Sequence, residues 1–404
     1  MPVNTEPNSR SAETRLLFRV ALVIFTVTVA IGIFNGFHII TISRSVLLTH
    51  VHAGTLGWIT LVALAAAYWL YGGSDVLRGH ARGVALGMVV CVPLYVLAFL
   101  SAESLGNLGF VLRAVFGAPV LLLIVGIVVY LLRAGAEMTV PRLGVLLSFV
   151  VLIIGSTLGV LLQIQIASKH SFLPGDPVGG HASAQVGGYL VLFALSTIEW
   201  RLKGPDAKGI AGRIQVVLLF LGGILLAIGV LYSIQPLLGI FIPLDIIALV
   251  IFLVRVGPRL LTVPWGEGSS ARHYAIAVPW AVVNLALTIA FVAAIIGAGG
   301  DTRKVNFGVI VAADHAIFLG VMTNVAFALM HDFSGARSNI APWAEHVIFW
   351  GLNVALIGFI VSLVSQAQWA EKFFAPVQGT AILIGIIVFS MRLAEVAPPA
   401  AARA

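Results

Sequence analysis

The stretch THVHAGTLG, residues 49–57, begins an apolar run that extends to residue 71. Two related stretches, HASAQVG from His181 and HAIFLG from His315, also lie at the heads of apolar runs. In each stretch an alanine follows the histidine directly, and a glycine follows it by five or six residues. Three copies of one pattern at the heads of such runs indicate a shared structural position.

The composition identifies the setting of these runs. The chain has 404 residues, of which 60% are apolar and 10% charged, whereas soluble domains carry about 25% charged residues. Apolar runs of about 20 residues, the length that spans a bilayer, recur throughout. The chain is therefore predicted to be a multi-pass protein surrounded by membrane lipids, and no nucleic-acid partner is expected despite the net charge of +7. The single cysteine, Cys91, excludes a disulfide framework and a cysteine-based zinc site.

Twelve transmembrane helices are predicted, because helices satisfy their own backbone hydrogen bonds in hydrocarbon. A polar tail over 1–15 precedes a single transmembrane domain over 16–391, and 392–404 form a second tail. The predicted spans are 16–37, 48–71, 82–100, 108–133, 143–166, 180–200, 211–233, 236–255, 273–297, 306–330, 344–365 and 374–391. The fold class is thus an all-α membrane protein.

The distribution of basic residues predicts the orientation. With the N-terminus inside, 17 of the 23 Lys and Arg residues fall on the inner side and 6 on the outer side. This excess indicates that both tails are cytoplasmic. His52, His181 and His315 then begin spans 2, 6 and 10 at one depth near the outer face. They are 129 and 134 residues apart, and a period of about 130 residues holds four spans, which predicts three four-helix repeats.

Three imidazoles at one depth suit a metal or heme site. Neutral imidazole is a good ligand of iron and copper, and a nearby glycine lets a flat macrocycle approach the backbone. A heme needs a histidine on each axial side. His50 and His52 are separated by about 200° around a helix, so they cannot face the same partner. His52 is favoured as the ligand because it belongs to the His-Ala pattern, and His50 remains an alternative ligand.

Three outer-side arginines are candidate partners of heme propionates, because guanidinium and carboxylate groups form charge-assisted hydrogen bonds. They are Arg44, Arg113 and Arg303. The alternative for these residues is a solvated loop charge, and for the histidines a position among lipid headgroups.

The twelve spans and the histidines on spans 2, 6 and 10 resemble subunit I of the heme–copper oxidase superfamily, which includes the nitric oxide reductases. The stretches HVHAGTLGW (50–58) and DHAIFLGVMTNVAFALMHDFSGAR (314–337) are similar to the NnrS family, a heme- and copper-containing branch tied to nitric oxide tolerance. This resemblance implies that His52 or His50, together with His315, ligates a b-type heme. It implies that His181 is a ligand of copper or of a second metal.

The resemblance further implies nitric oxide handling or respiratory electron transfer in the inner (plasma) membrane of a bacterium. The implied partners are a diatomic gas and an electron-donor protein or quinol. An enzymatic activity, if present, would be that of an oxidoreductase of the nitric oxide reductase or terminal oxidase type. The seventh span contains no histidine, so a complete heme–copper centre is not expected.

Two other functions are compatible with the sequence. A secondary transporter would show a twofold repeat and helices broken at matching positions. A copper-delivery protein would use the outer histidines to pass the metal.

Overall fold

The computed structural model describes residues 11–37, 41–72, 77–135 and 137–394. Within this part, twelve helices are long and apolar enough to cross a membrane. They are α1 (Ser11–Gly36), α2 (Arg44–Tyr71), α3 (Arg78–Leu100), α4 (Asn107–Arg133), α5 (Val140–Ser168), α6 (Pro177–Leu202), α7 (Ile210–Leu231), α8 (Gln235–Leu260), α9 (Ser270–Gly297), α10 (Phe307–Ser334), α11 (Ala344–Ser365) and α12 (Gln368–Leu393). The expectation of an all-α, multi-pass membrane protein is confirmed.

Most helices extend beyond the apolar runs by a few residues at one or both ends. The largest difference is at α12, which begins at Gln368 instead of 374. A second difference is at the start of α2, which begins at Arg44 instead of residue 48. Arg44 is therefore the first residue of this helix. The outermost parts of the two expected polar tails, 1–10 and 395–404, lie outside the described residues.

The helices that carry the histidine pattern occupy the centre. In the apolar windows of α2 and α10, 72% and 61% of residues are buried, against 50% or less in the other helices. Helix α10 contacts both α2 and α6. The indole nitrogen of Trp58 on α2 donates to the hydroxyl of Thr323 on α10 (3.2 Å), and the Tyr189 hydroxyl on α6 donates to Thr60 on α2 (3.4 Å).

The remaining helices surround this centre in chain order. Each helix from α1 to α12 contacts the next, and α1 also packs against α12. Helices α3–α5 therefore lie between α2 and α6, and α7–α9 lie between α6 and α10. Helices α11, α12 and α1 complete the ring between α10 and α2.

Each of the three central helices contains a π-helical segment directly after, or shortly after, its motif histidine. The segments are Ala53–Thr60, Ala184–Leu190 and Ala316–Thr323. Thr60 and Thr323 donate from their hydroxyls to the carbonyls five residues earlier, Thr55 and Phe318, at 2.9 Å. π-Helical turns are rare and are concentrated at functional sites. The three segments mark one level of the bundle, just below the histidines.

Small residues allow the helices to approach closely at this level. A Cβ atom added at Gly223 of α7 would lie 2.5 Å from the Cα atom of Gly188 in the π segment of α6. Only glycine permits this contact between two backbones, which is the usual way that membrane helices pack tightly.

Buried ion pairs hold the ends of the helices on the side of the N-terminus. Glu345 at the start of α11 pairs with Arg392 of α12, and Glu199 of α6 pairs with Arg255 of α8. Both carboxylates are fully or almost fully buried. Such pairs are costly to break because the remaining charge stays out of water.

Candidate functional site

Four histidines lie at the opposite end of the bundle and line two cavities. His50 and His315 line one, here called the 50/315 cavity, between α2 and α10. His52 and His181 line the other, the 52/181 cavity, between α2 and α6. Within each pair the imidazoles are close enough to interact electrostatically.

The 50/315 cavity is bounded by α1, α2, α10, α11 and α12. About 410 Å³ of space lies between its protein atoms, part of it continuous with the outside. The remaining lining is mostly apolar: Phe25, Thr28, Val29, Gly32, Ile33, Leu319, Phe359, Ala375, Gln378, Gly379 and Ile382.

Backbone carbonyls fix the orientation of both imidazoles in the 50/315 cavity. Nδ1 of His50 lies 2.8 Å from the carbonyl oxygen of Thr28, and Nδ1 of His315 lies 2.8 Å from that of Val311. A carbonyl only accepts, so each Nδ1 carries the proton and each Nε2 keeps a lone pair. Among the described residues, neither Nε2 receives a hydrogen bond. A metal-ligating histidine is held in this way.

Close contacts also restrict where the two rings can move. A Cβ atom added at Gly32 of α1 would lie 3.2 Å from Cε1 of His50. The ring of His315 packs edge-on against Phe359 of α11, with centroids 4.9 Å apart and planes at 80°. The absence of a side chain at residue 32 therefore gives the His50 ring room beside α1.

The 52/181 cavity repeats this arrangement. Helices α2 to α6 bound about 550 Å³ of space, again partly open. Nδ1 of His52 bonds to the Leu48 carbonyl (2.8 Å) and Nδ1 of His181 to the Gly155 carbonyl (2.7 Å). Neither Nε2 receives a hydrogen bond within the described chain. The other lining residues are Thr55, Leu56, Thr60, Tyr95, Gly117, Val120, Leu121, Leu152, Ser156, Gly159, Val160, Gln185, Tyr189 and Leu190.

Of the three arginines expected near a cofactor, Arg113 alone is buried. Its guanidinium lies 4.1 Å from the centre of the Phe99 ring, on which His52 is stacked at 3.8 Å. Arg44 is exposed at the start of α2. The side chain of Arg303 is 89% exposed and pairs with Asp301, and its hydrogen bonds lower the pKa of that carboxyl. Arg303 is thus a solvated loop residue in this structure.

The sequence suggested His52 as the partner of His315, and the structure places these two residues in different cavities. His50, which the sequence left open, is the histidine that shares a cavity with His315. The reason is geometric: residues two apart on a helix face nearly opposite directions. Helix α10 lies on the side of His50, and α6 lies on the side of His52.

Two features of the structure were not predicted. Glu103, in the turn Ala102–Leu105, accepts from the backbone nitrogen of Ser45 (2.9 Å) and holds the start of α2. A third cavity lies between α6, α7, α8 and α9, and Asp245 of α8 lines it with one carboxylate oxygen unpartnered among the described residues. An aspartate inside the apolar run FIPLDIIALV was the available signal.

The donor set in each histidine cavity consists of two imidazoles. Within the described ranges, no group of three or more His, Cys, Asp or Glu side chains is placed to hold one metal ion. A heme iron needs only two axial protein ligands, because the porphyrin supplies four nitrogens. Two imidazoles with fixed Nδ1 protons in a mostly apolar cavity are the donors that such a group requires.

Comparison with known proteins gives no assignment: no model of a protein family matches the chain, and no curated protein matches it.

Proposed function

We propose that this protein is an integral membrane heme protein in which His50 and His315 are the axial ligands of a b-type heme between α2 and α10. The observation that carries the proposal is that these two imidazoles line one cavity, each with Nδ1 on a backbone carbonyl and with Nε2 unpartnered among the described residues. The heme would supply reversible one-electron chemistry at its iron.

The surrounding residues support such a group in three ways. Apolar side chains from α1, α11 and α12 would exclude water from the macrocycle. The Thr28 and Val311 carbonyls fix the tautomer of both imidazoles, with the proton on Nδ1, and increase their basicity as ligands. Gly32 provides room beside His50 that any larger residue would remove.

The proposed role is electron transfer within the membrane. His50 and His315 would hold the group from both sides, and a heme held by two histidines would supply electron transfer and would not favour the binding of a gas. An electron-donor protein or quinol is the corresponding partner. Nitric oxide handling stays a prediction from the resemblance, as does copper binding at His181.

The proposed fold relationship is to subunit I of the heme–copper oxidase superfamily, most closely to the NnrS family. Its support is the arrangement of three central helices with π segments that begin 131 and 132 residues apart. We infer three four-helix repeats from this spacing. The proposed location in a bacterial inner membrane comes from this resemblance, and the excess of Lys and Arg on one side supports cytoplasmic termini.

A secondary transporter is the second candidate, and Asp245 is the observation that favours it. This carboxylate is 5% exposed, lines a cavity within the apolar part of the bundle and has an unpartnered oxygen among the described residues. Intramembrane acids of this kind carry protons or bind cations in transporters. This candidate does not require heme, and neither does a copper-delivery protein.

The test is an optical and metal analysis of the purified full-length protein. We expect the parent protein to give the reduced-minus-oxidised spectrum of a bis-histidine b-type heme. His50→Ala and His315→Ala should each contain less heme than the parent protein. His170→Ala, at an exposed histidine outside the cavities, is the matched control and should retain the heme of the parent protein. Protein that contains copper without iron, or neither metal, would refute the proposal.

A further inference from the structure

We infer that the 52/181 cavity is a second iron-porphyrin site, with His52 and His181 as its axial ligands, on the face of α2 opposite the 50/315 cavity. This inference rests on the proposed heme function and extends it from one prosthetic group to two. The two sites would share α2, which contributes His50 to one and His52 to the other.

The first support is the equivalence of the two histidine pairs. His52 and His181 have the same Nδ1-to-carbonyl bonds as His50 and His315, at 2.8 and 2.7 Å. Their Nε2 atoms have no hydrogen-bond partner within the described part of the chain. A histidine that served only packing would have no reason to keep this nitrogen free in an apolar bundle, where an unmade hydrogen bond is costly.

The second support is the shape of the cavity wall. Helices α4 and α5 present Gly117, Ser156 and Gly159 to the cavity. A Cβ atom at Gly159 would lie 2.8 Å from Cε1 of His181, and one at Gly117 would lie 3.1 Å from the Tyr95 ring. At both positions an aromatic ring lies directly against a glycine, so the glycines make room for the His181 imidazole and the Tyr95 ring beside α5 and α4.

The third support is a buried cation that forms no direct ion pair within the described ranges, although the Glu103 carboxylate is near enough to interact with it electrostatically. Arg113 is 4% exposed and close enough to His52 to interact with it electrostatically. Its described hydrogen bond is to the Phe99 carbonyl (3.2 Å), and its Nε atom is buried without a partner among the described residues. A guanidinium is costly to bury unpaired, and a propionate carboxylate would complete its hydrogen bonding.

Two hemes on either side of one helix suit electron transfer between them. The Nε2 atoms of His50 and His52 would each contact one iron, and only the backbone and side chains of α2 would separate the two groups. The protein would then pass electrons along the plane of the membrane from α10 toward α6.

The experiment is a count of heme and iron per chain in the purified full-length protein and its variants. We expect about two hemes in the parent protein, and about one in each of His52→Ala, His181→Ala, His50→Ala and His315→Ala. The double variant His50→Ala/His52→Ala should contain none. His170→Ala is the matched control and should keep both.

The outcomes separate this inference from the function on which it rests. One heme per chain, lost in His50→Ala and kept in His52→Ala, overturns the second site and leaves the proposed function intact. Heme that is lost only in His52→Ala and His181→Ala overturns the 50/315 assignment and supports this one. A parent protein without heme overturns both.

Methionine variants keep the test decisive if an alanine variant does not fold. Methionine is an alternative heme ligand that changes the spectrum and raises the reduction potential. In His181→Met we expect retention of two hemes, with the spectrum and potential of one of them changed. Two hemes with both potentials unchanged would show that residue 181 is not a ligand.

Discussion

His50 and His52 lie two positions apart on α2 and line different cavities, His50 together with His315 and His52 together with His181. One helix therefore supplies a histidine to each of two sites. This relationship follows from helix geometry, since a separation of two residues rotates a side chain by about 200°. A substitution at either histidine changes one cavity directly, so the variant at the other histidine serves as its control.

Gly32→Val tests the close approach of α1 to His50. The added Cβ would lie 3.2 Å from the His50 ring, and the two valine methyl groups would crowd the ring further, so we expect the ring to shift relative to the Thr28 carbonyl. We expect roughly 10- to 100-fold weaker heme retention at the 50/315 cavity, as for other losses of support to a metal ligand. Heme content after detergent purification measures the effect.

Gly83→Val is the control for this substitution. Residue 83 is also in a helix, α3, but a Cβ atom there meets nothing within 4 Å. We expect parental heme content in this variant. Equal heme loss in Gly32→Val and Gly83→Val would mean that the effect arises from helix propensity and not from contact with His50.

Glu345→Gln tests the buried pair between α11 and α12. Glu345 is 2% exposed and pairs with Arg392, and His273 and His331 lie 3.7 and 3.8 Å from its oxygens. Neutralising it leaves a buried guanidinium without its counter-charge, which costs roughly 3–5 kcal/mol. We expect a clear fall in the midpoint of thermal unfolding in detergent.

The control for this prediction is Glu137→Gln. Glu137 pairs with Lys208 at the surface, where the two side chains are 66% and 54% exposed. Exposed pairs contribute about 0–1 kcal/mol, so the midpoint should hardly move. A similar change in both variants would mean that burial does not decide the strength of the Glu345 pair.

The contact between Glu103 and the start of α2 predicts a pH dependence. The backbone nitrogen of Ser45 donates to the Glu103 carboxylate and lowers its pKa below the ordinary value of 4.5. A lowered pKa in the folded state means that the contact stabilises α2 above pH 4.5 and is lost as the pH falls through the lowered pKa. Hydrogen-exchange protection of the Ser45 backbone N–H should therefore decrease when the pH is below the lowered pKa of Glu103.

Glu103→Gln removes the titrating group and should abolish this pH dependence, because an amide oxygen accepts the same hydrogen bond at any pH. The protection factor at Ser45, corrected for intrinsic exchange, is the quantity to compare. A decrease of equal size in the variant would assign the pH effect to another group.

Asp245→Asn tests whether the acid of the third cavity lacks a partner in the folded protein. The carboxylate is 5% exposed and one oxygen is unpartnered among the described residues. Replacing a buried acid by an amide lowers the cost of desolvation. We expect an increase of roughly 1 kcal/mol in the free energy of unfolding, as for other buried groups without full hydrogen bonding.

The exposed Asp206 provides the control, and Asp206→Asn should leave the stability unchanged. Destabilisation by Asp245→Asn would instead indicate a bound cation or proton-linked role. That result would strengthen the transporter alternative.

The sequence alone predicted the twelve spans and the level of the three motif histidines. Hydropathy is a local property, and a run of about 20 apolar residues has few structural alternatives in a bilayer. The pattern at His52, His181 and His315 could be located for the same reason, because position within a span follows from counting residues. The candidate set of histidines was thus available before any packing was known.

Only the tertiary structure decided which histidines share a cavity. That choice depends on the rotation of each helix about its axis and on its neighbours, as in the contact of Trp58 with Thr323 and the close approach of Gly188 and Gly223. Such contacts join residues far apart in the chain and leave no periodic signal in hydropathy. His315 shares a cavity with His50 because α10 packs against that side of α2, and the sequence of a single span does not determine how helices pack against one another.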